Sequence, residues 1–177
     1  MDSKADERLL HDHAELGNLL DNLDAALEAK DAAGTHATLD LFWARLAMHI
    51  RAEHLHLFPT ISRAASRGRS LSNDESLPPD APENTIAILR EDHDFFMREL
   101  SQAIAIIRNA KENFAESLES VRKKIAAVRV RLVKHNEIEE TGIYVWSNSL
   151  LSETERTELA TLVQKELDNL PPRFGAI

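Results

Sequence analysis

The stretch HIRAEHLHLFP, residues 49–59, gives the strongest indication of the fold. It places His49 and Glu53 four residues apart, the spacing that puts two side chains on one face of an α-helix. The same face carries Leu46 and Leu57, which makes it an apolar stripe that must be buried. Titratable side chains on a buried stripe cost free energy unless they have a partner. The stretch therefore predicts a buried helix on which His49 and Glu53 bind something.

A second stretch, HNEIEETGIYV at residues 135–145, repeats the pattern. Its histidine and glutamate, His135 and Glu139, each lie 86 residues after their counterparts in the first stretch. The dipeptide Asp-His also occurs on two predicted apolar stripes, ending at His13 and at His93. This internal repeat predicts a fold with a pseudo-two-fold axis through the site.

Apolar residues three and four positions apart predict five helical segments. They cover about residues 5–30, 35–63, 83–110 and 116–147, and a last segment that begins at Ser152 and ends before residues 170–177. A capping box of Ser152 and Glu155 marks the start of the last one. Residues 66–82, rich in Ser, Pro, Gly and Asp, predict a long exposed loop, and a shorter break is expected at 111–117.

The predicted fold class is all-α. Long helices joined in sequence, each with one apolar stripe, predict an up-down-up-down four-helix bundle over about residues 5–150. The fifth segment, about residues 152–169, is expected as an accessory C-terminal helix on the outside. Residues 1–177 are expected to form a single domain.

Composition excludes several kinds of protein. The net charge of −9 argues against nucleic acid or an anionic membrane as a partner, since both need clustered Lys and Arg. No apolar run approaches the ~18–20 residues of a membrane span, and the charged N-terminus lacks the apolar core of a signal peptide, so a cytoplasmic location is expected. Cysteine is absent, which excludes thiolate ligands and iron–sulfur clusters. A bound metal would need nitrogen and oxygen ligands.

The polar residues of the predicted stripes are expected to lie in one layer of the bundle. In a helical hairpin, two residues that are equally far from the turn in sequence lie at one level of the bundle. For each pair of successive helices, the sequence position midway between their polar residues falls inside a predicted turn. The candidate metal ligands are His13, His49, Glu53, His93, His135 and Glu139. Four imidazoles and two carboxylates in one layer suit a dinuclear site, with the carboxylates bridging and two imidazoles on each metal. Such ligands favour iron or manganese over a structural zinc.

With these motifs, the sequence resembles the hemerythrin-like, or HHE cation-binding, family over about residues 8–150. The resemblance rests on HDHAEL, HIRAEHLHLFP, EDHDFF and HNEIEETGIYVW. It implies a four-helix bundle with two iron ions, bridged by oxo or hydroxo, although manganese or zinc stays open. It also implies binding of, or reaction with, O₂, peroxide or nitric oxide, in oxidative or nitrosative stress or in iron homeostasis.

The sequence departs from the oxygen-carrying hemerythrins at two places. Those proteins have a fifth histidine one turn after the third-helix ligand, where this chain has Phe96 and Met97. They also have an aspartate five residues after the last-helix histidine. Here Glu139 follows His135 after four residues and Glu140 after five; we favour Glu139, because four residues return nearer to the same helical face. Both departures favour redox chemistry on a small ligand over reversible oxygen carriage, and the ligand set looks more like that of the iron–sulfur-repair and stress-response members.

Three residues are candidates for supporting the ligands without binding the metal: His56, Glu140 and Phe96. His56 lies three residues after Glu53, close to the stripe, and could be a support, a spare ligand or a boundary residue. Glu140 corresponds to His54 in the repeat, and both are expected to flank the ligands. Phe96 is expected in the core, where it could control polarity and access.

Two other functions stay open beside the di-iron hypothesis, and the sequence leaves open whether the protein is an enzyme. One is a metal-dependent sensor or interaction module without turnover, and the other is a metal-free structural bundle. The expected partner of the di-iron protein is a small diatomic or peroxide ligand. A homodimer is an open alternative to a monomer.

Overall fold

The computed structural model describes residues 4–71, 81–110 and 114–174, and for residues 68–71, 81, 114 and 115 it describes the backbone alone. These ranges are almost entirely helical and contain no β-strand, which confirms the predicted fold class. The α-helices are α1 (Ala5–Glu28), α2 (Ala32–Ala52), α3 (Phe58–Leu71), α4 (Ala81–Asn109), α5 (Phe114–Ile138), α6 (Tyr144–Leu150) and α7 (Glu153–Leu167). Two π-helical turns, Glu53–Leu57 and Glu139–Ile143, join α2 to α3 and α5 to α6, and a 3₁₀ turn covers Pro172–Phe174.

The first part of the predicted loop is helical instead. Helix α3 buries Ile61 and Ala64 and continues to Leu71, although the Ser, Arg and Gly residues from Ser66 onward predicted a loop. Helix α4 begins at Ala81, with Pro82 in its first turn, where a missing N–H group costs no hydrogen bond. Residues 72–80, the middle of the predicted loop, lie outside the described ranges, as do residues 111–113 of the second predicted break.

The π-helical turns interrupt helices that the sequence predicts to be continuous. The N–H of Phe58 donates to the carbonyl of Glu53, and the N–H of Tyr144 donates to the carbonyl of Glu139, in both cases across five residues rather than four. The wider turn brings Phe58 and Tyr144 round toward the face that carries the glutamates. Both aromatic residues are buried. Turns of this kind occur often at functional sites.

Two apolar clusters lie on either side of the predicted polar layer. One cluster includes Leu16, Leu46, Phe96 and Leu132. The other cluster includes Leu9, Ala52, Leu89, Ile143 and part of α7. On α1, α2, α4 and α5, the His and Glu residues come where one cluster ends and the other begins. The layer is therefore enclosed by apolar side chains above and below.

The helices contact one another in a closed cycle. Helix α1 packs on α2, α2 on α4, α4 on α5, and α5 on α1. Helix α7 packs on α1, α2 and the turn Glu53–Leu57. The predicted capping box at its start is confirmed, since the backbone N–H of Ser152 donates to Glu155 and the N–H of Glu155 donates to the Ser152 hydroxyl. No helix in the described ranges is long and apolar enough to cross a membrane.

Candidate metal centre

The structure brings all six predicted ligand residues together. Their exposed fractions range from 0% for Glu53 and Glu139 to 8% for His13. They form two overlapping groups in which one ligand atom of each residue lies within 4.8 Å of the others. The first group is Glu53, His93, His135 and Glu139, and the second is His13, His49 and Glu139. The site therefore has two neighbouring positions, each with two imidazoles.

Glu53 lies between the two pairs of histidines. Its Oε1 is 3.4 Å from Nε2 of His49, and its Oε2 is 3.2 Å from Nε2 of His93. One carboxylate thus faces an imidazole of each pair, on α2 and α4. A carboxylate in this place can bridge two cations.

Glu139 occupies the equivalent place in the second half of the chain. Its Oε1 is 3.0 Å from Nε2 of His135, and its Oε2 is 3.2 Å from Nε2 of His13. Within the pairs, the ring centroids of His93 and His135 are 4.7 Å apart, and those of His13 and the other histidine of its pair, His49, are 4.9 Å apart. Each glutamate therefore lies between one histidine of the His13–His49 pair and one histidine of the His93–His135 pair.

The four carboxylate oxygens of Glu53 and Glu139 are buried, and none accepts a hydrogen bond from a residue in the described ranges. Burying an ionised carboxylate without hydrogen bonds or an opposite charge is costly. Cations placed between these oxygens and the facing imidazole nitrogens would supply that charge. The residues present therefore fit a pair of metal ions.

Asp12 orients His49 from behind. Nδ1 of His49 lies 2.9 Å from Oδ2 of Asp12, and the Arg45 guanidinium lies 2.6 Å from Oδ1 of the same carboxylate. When a metal displaces the proton from Nε2, which faces the interior of the site, an Nδ1–H that donates to Asp12 would hold the ring in place and leave the Nε2 lone pair for the metal. Metal-binding histidines are commonly oriented in this way.

The second half of the chain repeats this support. Nδ1 of His135 lies 3.1 Å from Oδ2 of Asp92, and Arg131 pairs with Asp92 as Arg45 pairs with the first aspartate. Arg131 follows Arg45 by 86 residues, the same separation as the ligands. Sequence reasoning noted the two Asp-His dipeptides but missed both arginines. The 86-residue repeat was the signal that could have revealed them.

The remaining two histidines are supported by unlike residues. Nδ1 of His13 lies 3.2 Å from Oε1 of Glu140, a side chain that is 43% exposed. Nδ1 of His93 lies 2.8 Å from Nε2 of His54. Glu140 and His54 occupy equivalent positions in the repeat, so the two halves are alike in geometry but different in charge. Burial, followed by the charge of His93, lowers the pKa of His54.

His56 contacts α7. Its Nε2 is 3.6 Å from Oε1 of Glu166 on α7. His54, which was expected to flank or support the ligands, does contact one of them, because it reaches from the turn Glu53–Leu57 to His93 on α4. Phe96 does lie beside the site, with its ring edge-on to His135 at 5.3 Å between centroids.

Two aromatic residues at equivalent positions face the two ends of the site. The Tyr144 hydroxyl is 3.3 Å from Nε2 of His13. The Phe58 ring lies parallel to the His93 ring, at 6.0 Å between centroids and an interplanar angle of 9°. Sequence reasoning assigned neither residue to the site, although they are 86 residues apart, like the other residues of the repeat.

The electrostatics of the site favour positive charge. Burial alone would lower the pKa of His49, but the carboxylates of Glu53 and Asp12 outweigh it and raise that pKa well above its usual value. Burial alone would raise the pKa of Glu53, but the neighbouring His49 and His93 hold it well below its usual range. Burial, followed by the charges of Glu139 and Glu53, raises the pKa of Tyr144 well above 10.0, so the phenol is protonated. Glu53 therefore stays ionised at neutral pH and favours a positive charge beside it.

Comparison with known proteins gives one family. Residues 4–146 match the family profile described as Hemerythrin HHE cation binding domain. The matched range contains all six candidate ligands and ends before α7. No curated protein and no solved structure matches the chain.

Proposed function

The chain belongs to the hemerythrin HHE cation-binding domain family, and on that basis we propose that it is a non-heme di-iron protein that binds or reacts with O₂, peroxide or nitric oxide. One observation carries the proposal: four buried carboxylate oxygens without hydrogen-bond donors among the described residues face four imidazole nitrogens. In the proposed site, His13 and His49 would hold one iron, and His93 and His135 would hold the other, with Glu53 and Glu139 shared between the two.

The proposed architecture is an up-down-up-down four-helix bundle. Its members are α1, α2 with α3, α4, and α5 with α6, while α7 packs on the outside. The closed cycle of helix contacts supports this arrangement. So does the position of the polar residues, which interrupt the apolar face at one level of each of the four long helices.

The ligand set supports iron. Imidazole and carboxylate suit iron and manganese, whereas a structural zinc site is usually a closed tetrahedron. When bound, an iron pair would supply one-electron redox chemistry and coordination positions for a small ligand. The chain itself orients the imidazoles through Asp12 and Asp92, and it excludes water with apolar side chains such as Phe58 and Phe96.

A reaction with the small ligand is favoured over its reversible carriage. Where oxygen carriers have a fifth histidine, this chain has Phe96, which is fully buried and packs edge-on against His135. The site therefore offers two histidines to each metal. Both metals would then keep coordination positions that side chains do not fill. A role in oxidative or nitrosative stress, or in iron homeostasis, accords with this reactivity.

Absorption spectroscopy tests the proposed function. Iron-loaded protein is expected to show ligand-to-metal charge-transfer bands in the near-UV and visible, and these should change when nitric oxide or hydrogen peroxide is added. The His49→Ala, His135→Ala double variant is the matched control, because it removes one imidazole from each metal position. Iron-loaded protein that is colourless and consumes no peroxide would overturn the proposal.

A second candidate is a metal-dependent sensor or interaction module. It is favoured by α7, which lies beyond the family match and packs on the turn that carries Glu53. Glu166 of α7 pairs there with Arg51 and lies near His56. Metal occupancy could thus alter how α7 sits on the site. Metal-dependent hydrogen exchange in α7, without turnover of any small ligand, would favour this function.

A further inference from the structure

Three of the four site histidines have a carboxylate beside Nδ1, whereas the fourth, His93, has another histidine there. The carboxylates belong to Asp12, Asp92 and Glu140. Beside His93, Nε2 of His54 lies 2.8 Å from Nδ1. The support of His93 therefore differs in chemistry from the support of the other three.

The contact between His54 and His93 fixes the place of one proton when a metal is bound. Nε2 of His93 faces the inner side of the site, 3.2 Å from Oε2 of Glu53. A metal on that side would use the lone pair of Nε2, so the ring would carry its proton on Nδ1. The Nδ1–H of His93 would then donate to Nε2 of His54. His54 would thus serve as the hydrogen-bond acceptor that sets the orientation of the His93 ring.

Packing holds the two imidazoles in this arrangement. The ring centroids of His54 and His93 are 5.0 Å apart. The Phe58 ring contacts both of them, at 5.6 Å from the His54 centroid and 6.0 Å from the His93 centroid. His54 itself is only partly buried, so its side chain can be replaced without opening a cavity in the core.

The internal repeat supplies the comparison. His54 and Glu140 are 86 residues apart, and each directly follows one of the two glutamates at the centre of the site. Each supports a histidine on another helix, His93 on α4 and His13 on α1. A carboxylate that accepts the Nδ1–H makes the imidazole a stronger ligand and adds a negative charge near the metal. An uncharged imidazole orients the ring without adding that charge.

From this difference, and resting on the proposed di-iron function, we propose that His54 is a positioning residue that holds His93 for metal binding and makes the His93–His135 position the weaker of the two metal positions. The His13–His49 position, which has a carboxylate behind each histidine, accordingly fills first with Fe²⁺.

The test is a series of substitutions that change the group facing Nδ1 of His93. His54→Gln offers an uncharged oxygen, His54→Glu offers a charged one, and His54→Leu offers no acceptor. Each is made in the full chain together with His49→Ala, so that the His93–His135 position is the intact one. The affinity for Fe²⁺ is measured without oxygen, by competition with a chromophoric chelator.

The affinity is expected to follow the charge of the acceptor. His54→Gln should bind Fe²⁺ about as tightly as the chain with His54. His54→Glu should bind it about tenfold more tightly, and His54→Leu about tenfold less tightly. A residue with a merely structural role would give no gain in His54→Glu and no rescue in His54→Gln.

The matched control is the same series in the His135→Ala background, where the His13–His49 position is the intact one. There the three substitutions should leave the Fe²⁺ affinity unchanged, because His54 supports only His93 among the site histidines of the described chain. Without any substitution at position 54, the His135→Ala chain should bind Fe²⁺ more tightly than the His49→Ala chain. The reverse order would contradict the proposed ranking of the two positions.

The outcomes separate this inference from the proposed function. Wild-type protein that retains no iron would overturn both. Wild-type protein with two irons, together with equal Fe²⁺ affinities along the His54 series, would overturn the inference alone. So would the loss of one iron in His54→Gln, because His54 would then be a metal ligand.

Discussion

Oδ2 of Asp12 lies 2.9 Å from Nδ1 of His49, on the neighbouring helix. Asp12 immediately precedes His13, so one dipeptide places a histidine in the site and supports a histidine on the next helix. Asp92 does the same for His135 in the second half of the chain. The two Asp-His dipeptides therefore connect neighbouring helices around the buried site.

Replacing this support should weaken metal binding without removing a ligand. Asp12→Asn is expected to lower metal affinity by about ten- to a hundredfold, because the substitution removes the charge that orients His49 and raises its basicity. Competition with a chromophoric chelator measures the affinity. Asp21→Asn, an exposed site on the same helix, is the matched control. Equal affinities in the two variants would contradict this role for Asp12.

The two adjacent glutamates, Glu139 and Glu140, should behave differently. Glu139→Gln is expected to lose both metals, because its two oxygens face His135 and His13, one from each pair. Glu140→Gln should retain both metals, since this half-exposed side chain touches only the outer nitrogen of His13. Metal content per chain checks the prediction. A greater loss of metal in Glu140→Gln than in Glu139→Gln would mean that Glu140, and not Glu139, is the ligand.

The six residues of the buried polar layer could be predicted because their signal is local. Histidine and glutamate on apolar stripes, four residues apart and repeated, identify a buried polar layer from spacing alone. His54 was harder to predict, because it lies beside the stripe and its contact with His93 depends on how α2 and α4 pack. The arginine support of Asp12 and Asp92 likewise depends on contacts between helices.

The sequence also did not predict that Phe58 and Tyr144 lie at the site, and the π-helical turns are the reason. No residue in Glu53–Leu57 or Glu139–Ile143 predicts a hydrogen bond across five residues, because the local sequence suits an ordinary α-helix. A continuous α-helix would point Phe58 and Tyr144 away from the glutamates. Their position at the site could therefore not be predicted from helical periodicity.

Removing the metal should destabilise the protein. Ligands that bind only the native state stabilise it by about 2.7 kcal/mol when their free concentration is a hundredfold above Kd. Chelation is therefore expected to lower the melting temperature by about 5–10 °C for a chain of this size. The His49→Ala, His135→Ala double variant should show no such change with chelator. If the melting temperature of the wild type is the same with and without chelator, a metal-free structural bundle is favoured.

The cap of α7 should make stability depend on pH. The Ser152 backbone N–H, followed by Arg67 and the Ser152 hydroxyl, lowers the pKa of Glu155 from 4.5 to about 2. Because the pKa of the folded state is the lower one, this carboxylate stabilises the fold above pH 4.5 and ceases to do so as the pH falls through about 2.

Glu155→Gln keeps the shape of the side chain and removes its charge. It is expected to lower the free energy of unfolding at neutral pH, and its difference from wild type should shrink as the pH falls from 4.5 toward about 2. Urea unfolding at a series of pH values measures the difference. Glu158→Gln removes the same charge elsewhere on α7 and serves as the control. A difference that stays constant with pH would exclude an effect of the carboxylate charge.

The most direct test of the two-metal site is elemental analysis of protein produced in iron-replete medium, beside the His49→Ala, His135→Ala double variant. Four imidazoles and two bridging carboxylates should hold about two irons per chain, and the variant should lose them. One iron or none in the wild type, with the same content in the variant, would contradict the dinuclear site and leave the buried layer as a polar core.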